Sequence, residues 1–151
     1  MKTIYVLLFL LTSTLISCNK ENIEKQYPNY ITPVNLAKGA TNPVLNNDNY
    51  VIKDSTEWNN FLTMISEGIN VNYYFSQLNI DFSQDMVIAI IDVAYPTGGW
   101  TVDITSIIET SNNIEVTFTH LNTGNDTMVS EQPFHIVKIP KSNKPINFIQ
   151  N

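Results

Sequence analysis

Residues 86–91 read MVIAII, six apolar residues in succession, most of them β-branched. A run of this length without polar alternation is typical of a strand that is covered on both faces. It therefore predicts the central strand of a sheet with apolar layers on both sides.

The segment before this strand predicts a helix from residue 54. Asp54 can accept hydrogen bonds from the first free amides, and Glu57 can reach back as in a capping box. Gly68 is a natural end for the helix. Apolar residues at intervals of three and four define one helical face, namely Trp58, Phe61, Leu62 and Ile65. This face is expected to cover one side of the central strand.

The segments after the central strand predict further strands. Residues 100–105 and 114–120 alternate between apolar and polar side chains, as half-buried strands do. Turns at 96–99 and 112–113 would join them to 86–91 in an antiparallel meander.

Shorter apolar segments complete the predicted architecture. Strands are expected at 50–52, at 134–139 before Pro140, and at the edge position 145–149, whereas 71–78 fits either a strand or a packed connection. Many strands with one early amphipathic helix indicate an α+β domain built mainly on an antiparallel β-sheet. A β-sandwich or barrel carrying a helix is the alternative.

The N-terminus has the layout of a secretory signal. Lys2 precedes an apolar stretch, and Ser17 precedes Cys18, the only cysteine. The stretch is short for a membrane-spanning helix, which needs about 20 apolar residues. The pattern resembles that of bacterial lipoproteins, in which the signal is cleaved before the cysteine and the cysteine is acylated. An ordinary signal or an N-terminal membrane anchor is the alternative.

This layout predicts three parts of the chain. They are a signal peptide at 1–17, a lipidated N-terminus and tether at 18–39, and a single domain at 40–151. No Asp follows Cys18 directly, and by resemblance to sorted lipoproteins this favours the outer membrane without indicating the leaflet. A lipidated Cys18 leaves no thiol for a disulfide or for cysteine catalysis.

Composition argues against several functions. The chain contains no arginine and has a net charge of −6, whereas nucleic-acid binding depends on basic patches. It has neither a phosphate-binding glycine loop nor a Gly-x-Ser-x-Gly nucleophile motif. We therefore predict no catalytic residues, no cofactor and no nucleic-acid partner.

One segment is a candidate interaction loop: Pro96, Thr97, Gly98, Gly99 and Trp100. Its residues suit a tight turn, because glycine tolerates positive φ and proline presets its own φ. Alternatively, Trp100 anchors a protein partner, since tryptophan is enriched at binding hot spots. The second interpretation predicts that Thr97→Ala leaves stability unchanged and weakens binding.

The two histidines raise the possibility of a metal site. His120 and His135 could meet if their strands pair, with Glu131 or Asp126 as a further ligand. Two unrelated strand histidines are the simpler interpretation, because zinc sites usually show three or four ligands with recognisable spacing. We predict no metal.

Four aspartates raise the possibility of a carboxylate pair, as in glycoside hydrolysis. They are Asp81, Asp85, Asp92 and Asp103. Asp81 and Asp85 are also typical of turns, and Asp103 falls on the polar face of its strand. Only Asp92 interrupts an apolar run and could be buried.

Several motifs resemble one family. DFSQDMVI at 81–88, PTGGW at 96–100 and PFHIVKIP at 133–140 follow in that order, after Glu57 and Trp58 near the helix start. Together they resemble the C-terminal domain of PrcB, the protease complex subunit, over about residues 51–148. The resemblance implies a lipoprotein that binds and stabilises a partner protease, and it brings no catalytic residues.

These observations predict a lipid-anchored protein-interaction module of the cell envelope. Its partners would be the membrane, through the lipid on Cys18, and an exported protein such as a protease. The alternative is a small-molecule or glycan-binding lipoprotein that uses Trp100 and the aromatic residues at 73–75. A flat apolar patch would favour the first function, and a deep aromatic cleft the second.

Overall fold

The computed structural model describes residues 25–43 and 45–151. The predicted signal peptide, Cys18 and the first part of the predicted tether lie outside these residues. In chain order the elements are β1 (Asn29–Tyr30), β2 (Val34–Thr41), β3 (Asp48–Ile52), α1 (Ser55–Ile65), α2 (Val71–Tyr74), β4 (Asp85–Ile91), β5 (Trp100–Glu109), β6 (Ile114–Thr123), β7 (Gln132–Pro140) and β8 (Ile146–Gln150).

The strands form two four-stranded sheets. The inner sheet has the order β2-β7-β4-β3, and the outer sheet has the order β1-β5-β6-β8. All neighbours are antiparallel except β6 and β8, which are parallel. The prediction of an α+β domain built mainly on antiparallel sheet is confirmed.

Strand β4 lies inside the inner sheet and is covered on both faces. Val87, Ala89 and Ile91 belong to the core shared with α1, and the alternate residues belong to the core shared with the outer sheet. Every residue from 86 to 91 is at most 1% exposed. The prediction from the MVIAII run is therefore confirmed.

Helix α1 begins and packs as the sequence predicts. The Asp54 carboxylate accepts hydrogen bonds from the Thr56 and Glu57 amides at 2.8 and 2.9 Å. Glu57 reaches back to the Lys53 amide at 2.7 Å, one residue before the cap. The helix ends at Ile65, three residues before the predicted stop at Gly68.

The predicted meander of 86–91, 100–105 and 114–120 is wrong in its first pairing. Strand β4 pairs with β3 and β7, whereas β5 pairs with β6 in the outer sheet. The physical reason is burial: β5 has one apolar face and stacks on the inner sheet, while the wholly apolar β4 needs a partner on each edge and a layer on each face. The edge strand predicted at 145–149 is present as β8.

The predicted boundary at residue 40 needs correction. Residues 34–39 belong to β2, which pairs with β7, and Leu36 and Ala37 are each 1% exposed. The register shifts between Asn35 and Ala37. This bulge breaks the alternation of side chains, so the segment shows no strand periodicity in the sequence.

The segment before β2 is also attached to the outer sheet. Glu109 is buried and forms ion pairs with Lys25 and Lys144, and it accepts a hydrogen bond from Asn29 at 3.3 Å. Burial opposes ionisation, but these three donors outweigh it and lower the pKa of Glu109 to about 2. Lys144 also donates to the Tyr27 hydroxyl at 2.8 Å. Residues 25–30 therefore belong to the folded unit.

The connection at 71–78 contains the short helix α2 followed by irregular chain. Among the described residues, no helix is long and apolar enough to cross a membrane.

Candidate functional site

The predicted interaction loop, residues 96–100, is bound to a second loop at 124–131. The Gly98 amide donates to the Thr127 carbonyl at 3.1 Å, and the Asn125 amide donates to the Gly98 carbonyl at 2.7 Å. The Gly99 amide donates to the Glu131 carboxylate at 2.7 Å. These bonds hold the loop in a fixed conformation.

Trp100 is packed within this pair of loops. Its ring stacks on Tyr95 with centroids 4.0 Å apart, and its indole N–H donates to Thr97 Oγ1 at 3.1 Å. Gly124 has a φ of +85°, and a Cβ at this position would lie 2.5 Å from the indole nitrogen. Trp100 therefore has partners inside the protein, which reduces the surface that it can offer as an anchor.

Apolar side chains are nevertheless exposed beside the loop. Met128 is 97% exposed and Val129 is 57% exposed on the opposing segment. Pro96 is exposed as well. The candidate interaction loop therefore retains an apolar surface, but Met128 and Val129 contribute more of it than Trp100 does.

A polar cluster lies next to residues 96–100, where Tyr95 stacks on Trp100. It consists of Asp92, Tyr95 and His120. His120 Nε2 lies 2.6 Å from Asp92 Oδ2, and the Tyr95 hydroxyl donates to the same oxygen at 3.1 Å. Asp92 is 8% exposed, so the expectation that it could be buried is confirmed. Burial, and then the charge of Asp92, raise the pKa of Tyr95 to about 12. Tyr95 could not be predicted from the sequence as part of this cluster, because its position depends on the path of the loop.

His135 lies in a different environment. It is buried in β7 of the inner sheet, and its Nδ1 accepts the Ile104 amide at 2.9 Å. Burial lowers the pKa of His135, Asp103 opposes this effect, and Lys38 adds to it. Because Nδ1 accepts a hydrogen bond from the Ile104 amide, it carries no proton and the imidazole is neutral. The charged partner of Asp103 is Lys38 at 2.6 Å.

The structure does not bring the two histidines together. His120 lies in β6 of the outer sheet and His135 in β7 of the inner sheet, so their strands do not pair. His120 contacts Asp92, whereas His135 contacts Asp103. In residues 25–43 and 45–151, no group of three or more His, Cys, Asp or Glu side chains could hold a metal ion.

The four aspartates have separate partners. Asp81 accepts from the Ser83 amide at 2.9 Å in an exposed turn, and Asp85 pairs with Lys138 at 2.7 Å. Asp92 pairs with His120, and Asp103 with Lys38. Each carboxylate thus has its own hydrogen-bond or ion-pair partner within the protein.

An apolar groove lies between helix α1 and the edge strand β3. Its volume is about 340 Å³, and it is lined by Tyr50, Val51, Ile52, Glu57, Asn60, Phe61 and Met64. The rings of Tyr50 and Phe61 pack with centroids 5.3 Å apart, and the Tyr50 hydroxyl lies 3.6 Å from Met64 Sδ. The sequence predicted both flanking elements but not the groove, because the distance between them is set by packing in the whole layer.

Strand β3 is one of the two edge strands of the inner sheet. Among the described residues, no strand pairs with its outer edge. An edge strand presents backbone N–H and C=O groups that can bind another extended chain. The groove therefore combines backbone hydrogen-bonding groups with an apolar surface.

The chain matches no protein-family model, no curated protein and no solved structure. The resemblance to the C-terminal domain of PrcB stays a prediction that rests on the motifs in the sequence.

Proposed function

We propose that the chain is a lipid-anchored protein-binding module of the cell envelope rather than an enzyme. It binds an extended segment of an exported partner, such as a protease, alongside β3. The observation that carries this proposal is the apolar groove between the edge strand β3 and helix α1.

The chemistry of the groove suits an extended peptide. Main-chain hydrogen bonds to an edge strand supply affinity, and a neighbouring apolar groove selects alternate side chains. Tyr50 and Ile52 face the core beside α1, so a peptide strand next to β3 would point alternate side chains toward Phe61 and Met64. The resemblance to the C-terminal domain of PrcB, which implies a protease partner, supports the same function.

The sequence supports the proposed location. A lipid on Cys18 would anchor the module to the outer membrane, and the residues before the described domain would connect the two. Metabolic labelling with a palmitate analogue tests this anchor. Wild-type protein is expected to carry the label and Cys18→Ser is expected to lose it; label retained by Cys18→Ser would contradict lipidation at this residue.

The groove is tested by selecting binders from a displayed library of random peptides. Asn60→Trp fills the groove from the exposed face of α1, and Asn59→Trp makes the same change at a neighbouring residue that does not line it. We expect wild type and Asn59→Trp to enrich peptides with apolar residues at alternate positions. Asn60→Trp should weaken their binding about tenfold or more, which corresponds to losing one well-packed apolar contact.

A further variant distinguishes the groove from the candidate interaction loop. Met128→Asp alters the apolar surface beside residues 96–100 and leaves the groove unchanged. Binding that is lost in Met128→Asp and kept in Asn60→Trp would transfer the function to the loop. Selection of no peptide by the wild type would contradict the proposal.

A further inference from the structure

A second, polar cavity opens between the edges of the two sheets, separate from the groove. Its volume is about 200 Å³. Strand β3 and the residues before it border the cavity on one side, and β6 and the end of β8 border it on the other. The end of β4 lies between these two sides. The polar residues of its lining are Asn47, Asn49, Asp92, Tyr95, His120 and Gln150.

Three carboxamides in this lining are open to a ligand. Within the described part of the chain, the side chains of Asn47, Asn49 and Gln150 form no hydrogen bond with another protein group. Each carboxamide offers two N–H donors and one oxygen acceptor. The cavity therefore presents neutral groups that can both donate and accept.

The charged residue of the cavity is already compensated. Asp92 accepts from the Val93 amide at 2.8 Å and from the Tyr95 hydroxyl, and it lies against His120 Nε2. This contact fixes the imidazole and leaves its Nδ1 as the ring nitrogen without a described partner. The lining contains no lysine, so it offers no cation to an anionic ligand.

The remaining lining residues are apolar. Val93 is 41% exposed and adds carbon surface beside the polar groups, whereas the buried Ile90, Ile91 and Phe118 contribute little of it. A compact ligand with hydroxyl groups around its edge and a C–H surface on its face matches both parts of this lining. Neutral amides, an imidazole and carbon surface together suit a saccharide better than an ion.

We propose that this cavity binds a neutral saccharide unit through Asn49, His120 and Gln150. Most of the aromatic residues that the sequence suggested for glycan binding pack inside the protein: Trp100 stacks on Tyr95, Tyr74 packs against Phe134, and Phe75 packs against Trp58. Tyr73 is 81% exposed and packs edge-on against Tyr74, outside this cavity. The saccharide site thus lies at the cavity and not at those rings.

The test is NMR titration of the protein with glucose, galactose and N-acetylglucosamine as separate probes. We expect at least one probe to shift the signals of Asn49, His120 and Gln150, with a dissociation constant of roughly millimolar order for a ligand of this size. Gln150→Ala and Asn49→Ala should each weaken binding about fivefold by removing one hydrogen-bonding group. Asn147→Ala is the matched control, because Asn147 is an exposed amide of β8 outside the cavity.

Other outcomes would overturn the inference. They are no shift with any of the three probes, or equal binding by Gln150→Ala and Asn147→Ala. A tetramethylammonium probe that binds where the sugars do not would also overturn it, because that result would make the cavity a cation site at Asp92. Asn60→Trp, which fills the groove, should leave sugar binding unchanged, so this result does not depend on the proposed peptide function.

Discussion

At the residue scale, buried polar groups depend on one or two specific contacts. His135, Glu109 and Asp92 are all less than 9% exposed, and each has a partner that is distant in the sequence. A buried polar group that loses its partner bears the full cost of desolvation. These residues should therefore respond more strongly to substitution or pH than the exposed polar residues do.

His135 should make stability depend on pH. The pKa of His135 in the folded state is below the ordinary value of 6.5. Its contribution to the free energy of unfolding is therefore complete above pH 6.5 and is lost as the pH falls below that value. We expect the midpoint temperature of thermal unfolding to decrease as the pH is lowered from about 7 to about 5, and to decrease less in His135→Gln. Thermal unfolding monitored by circular dichroism measures both; equal pH dependence in the two proteins would contradict this assignment.

Thr97 provides a second residue-scale test and changes the earlier expectation. The interpretation of residues 96–100 as a partner-binding loop predicts unchanged stability for Thr97→Ala, but Thr97 Oγ1 accepts the indole N–H of Trp100. Removing this acceptor should lower the free energy of unfolding by about 1 kcal/mol. Chemical denaturation measures the change, with the exposed Thr32→Ala as control. A Thr97→Ala protein as stable as the control would support the original expectation instead.

At the element scale, local patterns predicted the parts of the fold that local physics determines. The helix was predictable because Asp54 caps it and its apolar residues recur with helical spacing. Strand β4 was predictable because a six-residue apolar run is short for a helix and its β-branched residues favour a strand. Strand β2 was missed because its bulge near Asn35 interrupts the alternation.

The cap of α1 gives an element-scale prediction. Asp54→Ala removes the acceptor of two amide hydrogen bonds and should destabilise the protein by about 1 kcal/mol, within the usual range for such caps. Asp54→Asn keeps an acceptor and should lose less. Urea denaturation of the three proteins checks this order; equal losses in both variants would show that the cap oxygen does not stabilise the helix.

At the scale of the whole molecule, the assembly of layers could not be predicted from single segments. The inner sheet pairs β2 with β7 and β7 with β4, residues that lie far apart in the chain. Such pairings depend on which surfaces remain to be buried after every element has formed. The groove and the polar cavity lie between elements, so they could not be predicted from the segments that line them.

The corrected domain boundary gives a whole-molecule prediction. A fragment of residues 25–151 retains β2 and the contacts of Glu109, whereas residues 40–151 lose most of β2 and expose the edge of β7. Loss of the buried Leu36 side chain alone should cost about 2–5 kcal/mol, a large part of a typical domain stability of about 5–15 kcal/mol. We expect 25–151 to unfold cooperatively and 40–151 to lack a cooperative transition. Two equally cooperative fragments would restore the boundary at residue 40.

We propose that β3 binds an extended peptide by strand addition. Amide hydrogen exchange of residues 48–52, measured with and without a peptide selected by the wild-type protein, tests this proposal. We expect β3 amides that point away from β4 to exchange rapidly in the free protein and to become protected when the peptide binds. Saturating peptide that leaves the exchange of residues 48–52 unchanged would contradict it.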